Sequence, residues 1–312
     1  MQSILGKAGR VPSGYYPIGD DVALVPTRGG KLVLKVDMLV EGTDVPAGMD
    51  YRQAARKAVA MCVSDFAAKG VKPDSFMVSL GLRRGTTQAQ VNQIGEGLRD
   101  AERKWGVNLV GGDTNEASEL VIDCVMLGFS RRVVGRNGVK PGDILVVTGA
   151  FGNPPAGLQI LEEGARAESR FRKRVVRSVT DPSPNLAVGL ALGKYLTSAM
   201  DSSDGLARSL HTLARAGGVG FEVDSLPIAE GVANFAKLNG LSADELVLGG
   251  GEEYVIVGTV APAKLAAAEK AARQAGGKLL RIGRATSKKG KMVLKSKGRW
   301  RRIEDAGWTH LD

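Results

Sequence analysis

Six separated stretches of this 312-residue chain place a carboxylate beside glycine or serine, or at the end of an apolar run. They are Gly19-Asp20-Asp21, Val36-Asp37, Ser64-Asp65, Gly111-Gly112-Asp113-Thr114, Asp201-Ser202-Ser203-Asp204-Gly205 and Gly249-Gly250-Gly251-Glu252-Glu253. Carboxylate oxygens are the preferred ligands of hard divalent cations, and Mg2+ is held by a few of them together with substrate phosphates. Glycine beside an acid lets the main chain come close to a ligand. The acids stand out because the chain is otherwise basic, with 43 Lys and Arg against 33 Asp and Glu and a formal charge of +10. Acids gathered at tight turns in such a chain suit several divalent ions holding a polyphosphate.

Each acid also has a plainer reading. Asp65 falls on the stripe of Ala54, Ala58 and Met61 in a helical pattern over 51–69. If that stripe is buried, an ionised aspartate there is costly unless paired or metal-bound; if exposed, the alanines tolerate it. Asp113 is expected in a glycine turn after a short strand at 108–110, the place where α/β sheets bind ligands, or it is an ordinary turn residue. Ser203 or Asp204 suits a helix N-cap. With Asp201, the same residues suit a metal and an oxyanion at a helix N-terminus. Asp20 and Asp21 are turn residues before a strand at 22–25, or a pair whose mutual repulsion draws a cation.

The elements that must position these acids alternate. Strands are expected at 31–36, 75–82, 108–110 and 120–129, and helices over 51–69 and 87–105, the first stopping at Gly70 before Pro73. The pattern loosens at 130–141, which predicts domains at 1–134 and 135–312. The second half restarts with a strand at 143–148 and a helix through Gln159. Helices are expected after Pro184, after Asp204 and over 262–274, and strands at 220–223, 253–260 and 278–282. Both halves read as mixed α/β.

Composition narrows the function classes. No apolar run reaches the roughly 18 residues of a membrane span, and the first residues lack a secretory core. Cys62 and Cys124 have no metal-like spacing, so a reducing, cytoplasmic setting is the simplest expectation. Two histidines, His211 and His310, leave little room for an imidazole metal site or a Ser-His-Asp machine. The basic stretch at 288–302 has only Trp300 interleaved and reads as a solvated surface, so neither nucleic acid nor membrane is expected as a partner. Gly189-Leu190-Ala191-Leu192-Gly193-Lys194 is one residue too short for a P-loop and is followed by Tyr195. No Gly-x-Gly-x-x-Gly follows a strand, so a bound nucleotide would rest on metals and turn amides.

The ordered set Ile18-Gly19-Asp20-Asp21, Asp37, Val40-Glu41-Gly42-Thr43, Ser64-Asp65-Phe66-Ala67-Ala68-Lys69-Gly70, Gly111-Gly112-Asp113-Thr114, Lys140-Pro141-Gly142-Asp143, Asp201-Ser202-Ser203-Asp204-Gly205-Leu206 and Gly250-Gly251-Glu252-Glu253-Tyr254 resembles the thiamine-monophosphate kinases. These belong to the ATP-binding superfamily of aminoimidazole-ribonucleotide synthetase. The resemblance runs from about residue 17 to the end.

It implies a two-domain α/β fold whose N-terminal sheet domain forms a barrel in a homodimer, with a C-terminal α/β domain. It implies transfer of the ATP γ-phosphoryl group to thiamine monophosphate, with Mg2+ as cofactor and K+ as a further candidate. Carried over by position, Asp21, Asp37, Asp65, Asp113, Asp201 and Asp204 are the metal ligands, Asp65, Asp113 and Asp201 being also catalytic. Gly112, Asp113, Arg136 and Ser203 contact ATP, and Asp44, Glu252 and Trp308 contact the thiamine substrate. The chemistry fits these residue types. The acceptor is itself a phosphate, with a second pKa of about 6, and needs no strong base.

The chain departs from the family pattern in four places. Lys35 and Val36 stand where Ser-Thr is usual, Asp44 where His is usual, Cys62 where Asn is usual, and Glu253 where Asp is usual. Two alternatives follow: a relative that activates another small acceptor with ATP, or a nucleotide-binding module without turnover.

Overall fold

A computed structural model describes residues 19–296 and 298–308. Ile18, Lys297 and His310 therefore lie outside the described residues.

The first half is a five-stranded sheet in the order β1-β2-β5-β3-β4. Its strands are β1 (Ala23–Thr27), β2 (Gly30–Val40), β3 (Pro73–Arg83), β4 (Asn108–Ala117) and β5 (Val121–Ser130). All neighbours pair antiparallel except β3 and β4, which are parallel. Period-two alternation gives the sheet two unlike faces. Val33 and Leu39 of β2 and Ile122, Cys124 and Met126 of β5 are buried in the N-terminal core. Val36, Met38, Met77 and Phe129 stay exposed. Lys35 and Asp37 share parity with Val33 and Leu39 and so face inward with them.

The short helix α1 (Glu41–Asp44) precedes two long helices, α2 (Tyr51–Ala68) and α3 (Gln88–Trp105). Both long helices open with full capping boxes, Asp50 with Gln53 and Thr87 with Gln90, which satisfy otherwise orphaned N–H groups. Helix α2 is buried from Ala54 to Ala68, apart from Arg56 and Met61. Its small residues let other backbones close in. Gly189 lies so near that a Cβ there would sit 2.2 Å from the Ala67 carbonyl oxygen, and a Cβ on Gly70 would meet the Gly193 Cα at 2.6 Å. The glycines that failed as a P-loop are thus the contact between α2 and the second half.

That half is a seven-stranded sheet, β12-β11-β8-β10-β6-β9-β7. Its strands are β6 (Ile144–Val147), β7 (Leu196–Ser202), β8 (Gly220–Val223), β9 (Val255–Val260), β10 (Leu280–Thr286), β11 (Met292–Ser296) and β12 (Arg299–Arg302). Helices α4 (Asn153–Leu161), α5 (Ser169–Thr180), α6 (Leu186–Leu192), α7 (Leu206–Gly217), α8 (Val232–Leu238), α9 (Ala243–Gly249) and α10 (Leu265–Gln274) complete it. Among the described residues no helix is long and apolar enough to cross a membrane.

Two expectations need correction. Gly111 and Gly112 do not turn the chain: β4 continues through them to Ala117, paired with β3 after one register shift at Val110. A Cβ on Gly112 would lie 2.4 Å from the Val78 carbonyl oxygen, so this glycine serves close strand pairing. Nor do Ser203 and Asp204 cap α7, whose N-cap is Gly205 with φ of 103° and no side-chain hydrogen bond. Strands β7, β11 and β12 and helices α1, α5, α8 and α9 are elements that the sequence pattern does not announce, and in the basic stretch expected as a solvated surface Met292, Val293 and Leu294 of β11 are buried.

Candidate active site

Helix α2 carries the site. At its C-terminal end Asp65 meets Asp21, from the bend before β1, and Asp201, at the end of β7. One carboxylate oxygen from each lies within 4.8 Å of the other two, and all three residues are buried. The stripe of Ala54, Ala58 and Asp65 is therefore the buried alternative. The Ser64 hydroxyl donates to Asp201 at 2.9 Å.

Three cations border the group. Lys69, fully buried, reaches Asp20 and Asp21 at 2.5 Å each and donates to the Ala199 carbonyl at 2.8 Å. Arg136 pairs with Asp21 and donates to the Gly19 carbonyl at 2.6 Å, while its backbone N–H reaches Asp20 at 3.1 Å. Lys35 lies 2.8 Å from Asp65 and 3.1 Å from Asp37.

The electrostatics divide the acids. Burial pushes the Asp65 carboxyl well above its ordinary value, and Asp201 adds to this against the pull of Lys35. Asp201 is pushed up to about 6 by burial and by Asp21, with Lys35 and the Ser64 hydroxyl acting against the rise. Burial acts on Asp21 as well, but Lys69 and Arg136 outweigh it and hold that carboxyl below the usual range. Crowded buried anions of this kind are relieved by a divalent cation. All three converging donors are oxygens, which fits Mg2+.

A second group stands further toward the N-terminal end of α2. Lys57 is fully buried, pairs with Glu252 and donates to the Asp44 backbone carbonyl at 2.7 Å. Eight residues of helix separate Lys57 from Asp65, a rise of about 12 Å. Glu252 and Tyr254 have φ of 62° and 49°, a left-handed conformation that non-glycine residues rarely hold outside functional segments. Backbone bonds fasten this strained segment to the end of β7: Glu252 N–H to the Ser203 carbonyl at 2.6 Å and Tyr254 N–H to that of Ser202 at 3.0 Å. Burial raises the Glu252 carboxyl, with Lys57 opposing. Glu253 is pushed up to about 8 by burial, with the Gly152 N–H opposing. A cavity of about 260 Å³ opens against Glu252, Glu253 and Tyr254.

The other expected residues are placed unevenly. Asp37 joins the centre through Lys35. The Ser203 hydroxyl donates to Asp204 at 3.1 Å, and the Trp308 backbone N–H reaches the Asp204 carbonyl at 3.2 Å, tying the exposed indole to the same turn. The Asp44 carboxylate turns back within its own short helix, accepting from the Val40 N–H at 2.8 Å and the Thr43 hydroxyl at 2.9 Å. Gly112 and Asp113 are exposed on the edge strand and apart from the buried trio. Sequence reasoning gave no role to Lys57, to Lys69 or to the hydroxyl of Ser64. The signal available was two lysines, Lys57 within the helix and Lys69 just past its end, flanking a run rich in small and apolar residues.

Residues 19–130 match the N-terminal domain, and residues 140–295 the C-terminal domain, of AIR synthase related proteins. The chain belongs to the AIR synthase related family, the class that its two sheets and shared acidic centre define. Within that family it stands with the thiamine-monophosphate kinases. It is 36% identical over 280 residues to the thiamine-monophosphate kinase of Nitrosopumilus maritimus, covering 90% of this chain and 89% of that one. It is 32% identical over 298 residues to that of Pyrococcus horikoshii, covering 95% and 91%. A solved structure described as AaThiL complexed with AMPPCP and TMP matches with a TM-score of 0.85 at 26% identity, over 99% of this chain and 94% of that one.

Proposed function

We propose that this protein transfers the γ-phosphoryl group of ATP to thiamine monophosphate, forming thiamine diphosphate and ADP, at a Mg2+ site built on Asp21, Asp65 and Asp201. The observation that carries the reading is the convergence of these three buried carboxylates from segments far apart in the chain. The similar kinases and the structure with AMPPCP and TMP support the substrate pair.

Mg2+, when bound, neutralises phosphate oxygens and helps hold donor and acceptor in line. The chain's own part is positioning. Lys69 and Arg136 fix the Asp20-Asp21 bend against α2. Lys57 fixes Glu252, and with it the strained segment, against the Asp44 backbone. The acceptor's cationic heterocycle suits the Glu252 end, beside Trp308 and Asp44, and its phosphate points along α2 toward Asp65. An acceptor already ionised needs no proton removed, which suits a site without histidine among its described residues.

Asp37 and Asp204 are assigned as further metal ligands, and so is Asp113, which with Gly112 lies on the exposed edge strand outside the buried trio; Gly112, Arg136 and Ser203 are assigned as nucleotide contacts. K+ stays a further candidate cofactor, as the resemblance implies. We assign the domain boundary to 134/135 and the setting to the cytoplasm. A second copy is the proposed partner of the outer face of the first sheet, because Val36, Met38, Met77 and Phe129 leave apolar surface there.

Incubating purified protein with ATP, MgCl2 and thiamine monophosphate tests the reading. Thiamine diphosphate should form, and chelating Mg2+ should stop it. Nucleotide binding without any thiamine diphosphate would overturn it.

A further inference from the structure

Lys35 is the cation of the acidic centre that stands between two carboxylates assigned above as metal ligands, Asp37 and Asp65. It faces inward from β2 with its side chain 19% exposed, and its ammonium bridges Asp65 at 2.8 Å and Asp37 at 3.1 Å. The balance of charge explains why a lysine can stand there. Five carboxylates meet in the centre, from Asp20, Asp21, Asp37, Asp65 and Asp201. Lys69 and Arg136 are both engaged by Asp20 and Asp21. Lys35 engages Asp37 and Asp65, and Asp201 is left with the Ser64 hydroxyl. With all five ionised, as they are when a cation is bound, five acids against three cations leave two unbalanced negative charges, which one divalent ion neutralises. With a neutral residue at position 35 the excess becomes three, and Asp37 and Asp65 both face the space the ammonium held.

We propose that Lys35 is a tethered cation that occupies, between Asp37 and Asp65, the place a further divalent ion would otherwise take. The protein then holds one fewer divalent ion per chain than it would with a small neutral residue at position 35. The inference deepens the metal-assisted reading above and rests on it. Physically, a tethered ammonium bears one charge, needs no octahedral shell, and cannot be removed by dilution or chelation. A protein with such a counter-charge keeps part of its site assembled when free Mg2+ is low.

The test counts bound Mn2+ per chain by electron paramagnetic resonance, with AMPPCP present, for wild type, Lys35→Ser and Lys35→Arg. The Ser variant should bind one more ion than wild type, and the Arg variant should match wild type. Equal counts for wild type and Lys35→Ser would overturn the proposal while leaving the metal-assisted reading intact. No bound Mn2+ in any of the three would bring down both. Thermal melting supplies a readout independent of the count. In chelator, Lys35→Met should melt below wild type, and Mn2+ should raise its melting temperature by more than it raises that of wild type. Equal increments would mean that Lys35 only packs, and would also overturn the proposal.

Discussion

The Ser64 hydroxyl and the Asp201 carboxylate lie 2.9 Å apart although 137 positions separate them in the chain. One residue ends a helix of the first half and the other ends a strand of the second. Their contact makes the acidic centre a joint between the two sheets rather than a property of either. Asp65→Asn tests the joint's chemistry without breaking it. Turnover should fall by about a hundredfold or more, since a charge leaves the centre that stabilises the transferring phosphoryl group. Thermal stability should hold or rise, because the fold already disfavours the ionised form of Asp65. Near-normal kcat would remove Asp65 from the site.

Lys57 and Glu252 form a buried pair, with the lysine fully enclosed. Removing one partner strands the other charge. Lys57→Met should therefore cost about 3–5 kcal/mol of stability in urea denaturation. Adding Glu252→Gln in that background should recover part of the loss. A double variant no more stable than the single one would show that the pair's charge is not what matters.

Arg136→Ala should weaken ATP binding by about 1.5–3 kcal/mol, the range of a charge-assisted contact. The guanidinium also holds the Asp20-Asp21 bend, so Mg2+ affinity should fall with it. Calorimetric titration of nucleotide and of metal separates the two effects. Unchanged affinity for both would refute the assignment.

Glu253 provides a pH handle away from the metal ligands. Its carboxyl is held at about 8 in the fold against 4.5 ordinarily. The folded state thus keeps a proton that the unfolded chain has already lost. The stability this proton confers is fully present below pH 4.5 and is lost as pH rises to and past 8. Glu253→Gln keeps an oxygen to accept the Gly152 N–H and cannot ionise. Its melting temperature relative to wild type should climb through that window and level off above it. A difference that does not vary with pH would mean Glu253 is ionised in the fold.

Gly189→Ala probes the contact behind the site. The new methyl would meet the Ala67 backbone, and overpacking of this kind costs about 1–3 kcal/mol. Because Ala67 lies between Asp65 and Lys69, kcat should fall together with stability. A variant with reduced stability but untouched kcat would separate the contact from the acidic centre.

Several elements are legible in local pattern alone. Helices α2 and α3 announce themselves by length and composition, α2 also by its stop at Gly70 before Pro73, and most strands of both sheets by apolar runs. The turn at Gly111-Gly112 misled because glycine has two uses. It permits a bend, and it permits another backbone to come close, and only the neighbouring strand Pro73–Arg83 reveals which applies. Strand β7 was hidden because Asp201 and the serines beside it look like a loop. In the fold that strand is paired along β9, which satisfies its backbone polar groups.

Residue type and order alone determined which acids were available, that a hard cation would suit them, and which family pattern they follow. Those are properties of side-chain chemistry and of position along the chain. Tertiary structure alone decided that Asp21, Asp65 and Asp201 converge while Asp113 stands on an outer edge. It also decided that three cations, Lys35, Lys69 and Arg136, share the centre with them. Charge balance is a sum over neighbours in space, and a chain does not state its spatial neighbours until packing has chosen them.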